Sequence, residues 1–269
     1  LTRDPYAVYA RNVLKLRPLD RPDEPMEQRA RGTAIHEAFE RFAGEWPKLP
    51  PQEAGRRFAD LYLGELRKAG APQSALARES ALAAEAGAWI ADMELRRRAQ
   101  GAQIIVEQSG QASFPTARGQ FTVTAKADRL ELTADGFVNV LDFKTGPEPS
   151  KKMVDAGFSP QLTLTAAIIA RGGFEGIGPR APGDLVYVRI TGRDPAGKEV
   201  VSLAAGPESQ DGAEKAFQGL QALIARYEDP AHPYRSRTAP QFVKTYASDY
   251  DHLARVYEWS TSGDDEEGE

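Results

Sequence analysis

The sequence predicts an α/β or α+β domain in which helices come first and a sheet with an inserted helix follows. Three observations predict it. Residues 1–100 read as mainly helical, with 52–69 and 73–99 rich in Ala, Leu, Glu and Arg. From about residue 103 the pattern changes to short alternating runs dense in Val, Ile, Phe and Thr. Between those runs, "PQLTLTAAIIARGG" reads as a helix closed by glycines. No internal repeat is present, and this order of elements belongs to one domain with a layer of helices and a layer of strands.

In chain order, Ile35, Phe39, Phe42 and Trp46 fall at helical spacing, and Thr33 is the expected N-cap of that helix. Two more helices cover 52–69 and 73–99. Strands are expected at "QIIVEQ", "GQFTVTAKADRLEL", "GFVNVLDFK" and, later, "GDLVYVRIT". The apolar helix of "PQLTLTAAI" closes on glycines, and 208–228 forms another helix. Residues 229–262 follow as a C-terminal arm, and 263–269 as an acidic disordered tail.

The chain has 269 residues, 41% hydrophobic and 27% charged, long enough for a sizeable core. It has no cysteine, which excludes disulfides, zinc thiolates and cysteine-ligated iron-sulfur clusters. Any metal must be held by oxygen and imidazole. No apolar run approaches a membrane span, and the start, "LTRDPYAVYARNVL", shows neither an initiator methionine nor a signal peptide. The expectation is a cytoplasmic chain cut from a longer one, with no membrane partner. The net charge of −5, part of it in "SGDDEEGE", argues against a polyanion-coating protein but allows a local basic groove.

One stretch, "VLDFKTG" (140–146), puts Asp142 and Lys144 two residues apart on one face of an expected strand. Pairing Asp128 with Asp142 across a hairpin sets Leu130 against Val140 and Leu132 against Val138. The loop is then Ala134-Asp135-Gly136, with glycine at the position that needs positive φ. Two carboxylates and a lysine then converge at the end of an apolar face. A one-residue slip would send Asp128 to the other side.

Carboxylates held that close repel, so a divalent cation is their natural partner, and hard oxygen ligands suit Mg²⁺ or Mn²⁺. The chemistry would be phosphodiester hydrolysis, with Lys144 orienting a water or offsetting phosphate charge. D-x-K alone is weak evidence: about one copy is expected by chance in this length. Its plain alternative is a strand-end ion pair worth ~0–1 kcal/mol. His36 in "RGTAIHEAFERF" is one of three histidines and lies one helical turn before Glu40. A core-boundary histidine bonded to Glu40 is the plain alternative there.

Taken in order, Gly32, His36 and Glu40, then Asp128 in "KADRLEL", then Asp142-Phe143-Lys144-Thr145-Gly146, then Gln161 in "PQLTLTA", resemble the motifs of RecB-like nucleases of the PD-(D/E)XK superfamily. The nearest likeness is to AddB C-terminal nuclease domains, over roughly residues 4 to 260 and within a cysteine-free branch that lacks the iron-sulfur cluster. The resemblance implies a central mixed sheet flanked by helices, and a metal held by His36, Asp128, Asp142 and the Phe143 carbonyl. It implies Asp128, Asp142 and Lys144 as catalytic residues, with Gln161 and Arg129 contacting DNA or steadying the site. It implies single-stranded DNA fed by a helicase in double-strand break repair and recombination, an AddA-like partner subunit and a lost helicase-like N-terminal region.

The chain departs from that pattern in places. The tyrosine that usually follows the Gln motif by four residues is Thr165, and Ala127 stands where the superfamily name has Pro. Without the cluster the two ends must join by packing, with Pro5, Tyr6 and Tyr9 facing Tyr234, Phe242 and Tyr246 as candidates. Glu107 is either an additional carboxylate of the site or a solvated strand end. The interleaved basic and aromatic residues of 232–250 suit either single-stranded nucleic acid or a packed arm. A non-catalytic DNA-binding or assembly module of the same fold, and a metal-stabilised structural domain, are the rival functions.

Overall fold

The structure is a computed structural model that describes residues 2–17, 27–238, 249–256 and 258. A short helix α1 (Pro5–Val8) runs into a π-helical turn, Tyr9–Val13. Then come three long helices, α2 (Glu27–Glu45), α3 (Pro51–Lys68) and α4 (Gln73–Arg98). Thr33 does not cap α2 but sits inside it, because the helix begins further back, in a run of good helix formers, Gln28 to Arg31.

Five strands form one sheet: β1 (Gln103–Thr116), β2 (Gly119–Leu132), β3 (Val138–Lys144), β4 (Pro182–Ile190) and β5 (Gly197–Leu203). They lie in the order β1-β2-β3-β4-β5, antiparallel except for the parallel β3–β4 pair. A parallel pair needs a long crossover. It is supplied by α5 (Lys151–Asp155) and α6 (Gln161–Ala170), and α7 (Pro207–Glu228) follows β5. Neither β5 nor α5 is expected from the sequence, and β1 runs eight residues past its expected end at Gln108.

The sheet is covered on both faces, so β3 and β4 read as near-continuous apolar runs. Leu141, Phe143, Val186, Val188 and Ile190 pack against α2, α3 and α4. Leu130, Val138, Val140, Leu185 and Tyr187 pack against α6 and α7. Phe39 of α2 stacks on Phe143 with ring centroids 3.6 Å apart and planes 9° from parallel. The first helical layer is thereby fixed to the strand that carries Asp142 and Lys144.

The β2–β3 register is the expected one. Leu130 faces Val140 and Leu132 faces Val138. Gly136 holds φ at +90°, and the Thr133 N–H donates to Phe137 O at 2.9 Å to close the loop. Extended one pair further, this register sets Asp128 opposite Asp142.

The two ends of the chain meet. The Tyr6 N–H donates to Arg235 O at 3.1 Å, Thr238 Oγ1 donates to Thr2 O at 3.0 Å, and the Tyr9 and Tyr234 rings lie 5.4 Å apart. Pro5 is buried. Phe242 and Tyr246 fall outside the described residues, as do Lys244 and the 263–269 tail.

Candidate metal centre and active site

Strand geometry alone builds a row of functional groups across the sheet. On β1 and β2 the ladder pairs Val106 with Arg129 and Gln108 with Ala127, skipping the position where Glu107 faces Asp128. Glu107 itself has φ of +52°, a left-handed conformation rare for a residue with a side chain. The next strand brings Asp142 beside Asp128, and β4 brings Tyr187 into register with Asp142. One line through four strands thus carries Glu107, Asp128, Asp142 and Tyr187.

Helix α2 adds His36 from one side of that row. Its Nδ1 lies 3.3 Å from Asp128 Oδ2, and its ring meets Phe143 edge-on at 6.5 Å. Glu40 is exposed. Asp128 Oδ2 also accepts the Phe143 N–H at 3.0 Å. His36, Glu107 and Asp128 each offer a ligand atom within 4.8 Å of the other two. The donors are one imidazole and carboxylates, with no thiol, a set that fits a hard divalent cation.

Asp142 is 3% exposed and both its oxygens are engaged. Oδ1 accepts Gln161 Nε2 at 2.5 Å, and Oδ2 meets Lys144 Nζ at 2.6 Å. Lys144 Nζ also donates to Gln161 Oε1 at 3.1 Å. The three side chains form a closed triangle at the start of α6, where Gln161 is the first residue.

Burial and neighbouring carboxylates both shape the electrostatics. Burial, and then the Asp128 charge, push the Asp142 carboxyl up to about 6, against the opposing pull of Lys144 and His36. His36 is raised above its ordinary value by its hydrogen bond to Asp128, opposed by burial and supported by the charges of Asp128, Asp142 and Glu107. Lys126 Nζ reaches Glu107 Oε2 at 2.5 Å from an exposed position on β2.

The structure sets His36 against Asp128, which accepts the Phe143 N–H, and ties Asp142, Lys144 and Gln161 together on the adjoining strand and helix; among the described residues Asp142 stands outside the close group of His36, Glu107 and Asp128. Arg129 joins neither. Arg129 is 1% exposed and lies across the sheet from Asp128, ion-paired with Glu94 and with Glu131, the latter at 2.8 Å. It therefore has no access to DNA, correcting the expectation for it. Successive residues on a strand point to opposite faces, and that rule alone separates Arg129 from Asp128.

Glu107 joins the cluster through the β1–β2 register, in the first of the two places the sequence left open for it. Tyr187 was not anticipated. Burial raises its phenol above the ordinary value, with Ser159 offsetting part of the effect. Thr165, in the usual tyrosine position, is buried and donates back to Gln161 O at 2.9 Å.

Comparison with known proteins agrees with this geometry. Residues 1–239 match the model of the PD-(D/E)XK nuclease superfamily. An uncharacterized protein of Rickettsia bellii (strain RML369-C) is 28% identical over 243 residues, covering 84% of this chain and 28% of that protein. One from Rickettsia felis (strain ATCC VR-1525 / URRWXCal2) is 27% identical over 179 residues, covering 65% of this chain and 21% of that protein. The chain thus spans under a third of the length of these relatives. The structure titled "Crystal structure of SSO0001" aligns with 69% of this chain and 73% of its own at 16% identity, with a TM-score of 0.28, too low to add to the assignment. Among the described residues no helix is long and apolar enough to cross a membrane.

Proposed function

The chain belongs to the PD-(D/E)XK nuclease superfamily, and on that premise we propose that it is a metal-dependent deoxyribonuclease that hydrolyses phosphodiester bonds. The observation that carries the reading is the row of Glu107, Asp128 and Asp142 with Lys144 at its end. A buried group of like charges is costly unless a cation joins it.

His36, Glu107, Asp128 and Asp142, with the Phe143 carbonyl, would hold the ion, and Mg²⁺ or Mn²⁺ suits these donors. Bound there, a divalent cation supplies Lewis acidity to a phosphate oxygen and acidifies a water. Lys144 is positioned to stabilise charge developing on the phosphate and to orient the attacking water, its ammonium held between Asp142 and Gln161. Gln161, tied to both, fixes the Asp142 carboxylate and can turn outward to a phosphate. His36 orients Asp128 through Nδ1.

Phosphate contacts position a strand without reading its sequence, which suits processing of single-stranded DNA delivered by a helicase motor. The likeness to AddB nuclease domains supports that assignment, and a recombination role and an AddA-like partner are proposed on the same likeness. The greater length of the Rickettsia relatives is compatible with a nuclease module inside a larger protein.

The test is cleavage of labelled single-stranded DNA by the purified chain with Mg²⁺, Mn²⁺ or EDTA, with Lys144→Ala alongside. Metal-dependent cutting that the variant loses is expected. If parent and variant both bind metal and neither cuts, the nuclease assignment falls in favour of a non-catalytic assembly module.

A further inference from the structure

Away from the catalytic row, a cleft of about 610 Å³ opens between the loop that ends at Phe158, the C-terminal turns of α7 and the segment 232–238. Phe158 and Tyr227 give it aromatic walls, with Leu223 beside them. Arg226, His232 and Arg235 line it too, and both arginines are exposed. Among the described lining residues there is no carboxylate, although the chain as a whole carries a net charge of −5.

The walls are well supported. The Tyr227 ring lies 4.8 Å from His232 and 4.8 Å from Tyr234, and Tyr234 in turn packs on Tyr9. Behind Phe158, Arg3 sits 6.0 Å from the ring centroid and donates to Phe158 O at 2.6 Å. Its Nε is buried with no hydrogen-bond partner among the described residues. Cations beside aromatic rings, without acidic groups, select a ligand that is flat and apolar in one part and anionic in another. Exposed bases and phosphates of an unpaired strand have that chemistry, whereas a duplex hides its base faces in the stack.

We propose that this cleft is a single-strand nucleic-acid subsite, in which bases lie against Phe158 and Tyr227 and phosphates against Arg226 and Arg235. Its place in the fold suits that use. Phe158 is three residues from Gln161, at most about 11 Å of chain, so a strand seated in the cleft reaches the catalytic row within a few nucleotides. The inference extends the nuclease reading and rests on it for its purpose.

Binding of labelled oligothymidylate to the metal-chelated chain in EDTA, followed by fluorescence anisotropy through a salt series, tests it. The double variant Arg226→Gln/Arg235→Gln should bind on the order of tenfold more weakly. It should also lower the slope of log affinity against log salt by about 1.4, for two single-strand phosphates. Tyr227→Leu should weaken binding about fivefold or more without changing the slope. The unaltered chain should bind an abasic strand of equal length and charge more weakly than oligothymidylate. Unchanged affinity and slope in the arginine variant, or equal binding of the abasic strand, overturns the proposal. Because no cleavage is measured, failure here leaves the nuclease reading to its own assay, and an inert enzyme leaves this assay intact.

Discussion

Asp128 and Arg129 are neighbours on β2, yet they enter two charge clusters of opposite design. On the Arg129 face, Glu94, Glu131 and Glu199 meet Arg97, Arg98 and Arg129 in a chain of contacts that includes Arg97–Glu131 at 2.7 Å and Arg98–Glu94 at 2.8 Å. Acids and bases there balance, and the network ties α4 to the sheet. On the Asp128 face, Glu107, Asp128 and Asp142 have, among the described residues, Lys126, Lys144 and the His36 imidazole. The first cluster is complete without any ligand. The second is short of one positive charge while the His36 imidazole is neutral, and burial together with the Asp128 charge raises the Asp142 carboxyl there. Burial of ionised groups therefore does not by itself mark a site; an unbalanced sum does.

The sharpest test of that difference is chemical. Asp142→Asn and Lys144→Ala should each reduce cleavage by at least about 10²–10³-fold, with cooperative thermal unfolding retained. Near-normal activity in either would remove the mechanism. On the balanced face the effect should be on stability. Arg129→Ala takes one of two cations from each of the buried Glu94 and Glu131 and should lose about 3 kcal/mol in urea unfolding, with activity falling only as the folded fraction falls. Should Arg129→Ala instead unfold like the parent and bind DNA poorly, the contrast between the faces would collapse. Third in size, Glu107→Gln should weaken Mn²⁺ binding, read by calorimetry, about tenfold. An unchanged affinity would return Glu107 to the role of a solvated strand end. Smallest of all, Lys126→Ala should leave the melting temperature unmoved and Mn²⁺ affinity equal or slightly tighter, because it only removes a competitor for Glu107. A marked loss of metal affinity would show that Lys126 helps to assemble the site.

Much of this was legible in the sequence for physical reasons. The β2–β3 register followed from two facts, alternation and a glycine where the turn needs positive φ, and Asp128, Asp142 and Lys144 came with it. His36 and Gln161 were placed by their order along the chain rather than by any local rule. The remainder depended on features that composition does not encode. β5 reads "GKEVVSL", short and half polar at the sheet edge, and α5 spans five residues, below the length at which periodicity speaks. Glu107 was legible as a candidate, but choosing between site carboxylate and solvated strand end needed the β1–β2 register. Whether the ends meet was a matter of tertiary packing, which Tyr9 and Tyr234 supply.

The three-residue loop of Ala134, Asp135 and Gly136 touches none of the reacting groups, yet it decides which of them are neighbours. Substitutions there should be tolerated as long as position 136 can hold its φ of +90°. A single deletion is another matter: if the hairpin re-forms with the same loop length, every side chain of β3 changes face, and Asp142 would point at α3 and α4 instead of at Gln161. Natural variation in this chain should therefore be free in spelling and strict in counting at that turn, so that insertions and deletions are purged where exchanges are not.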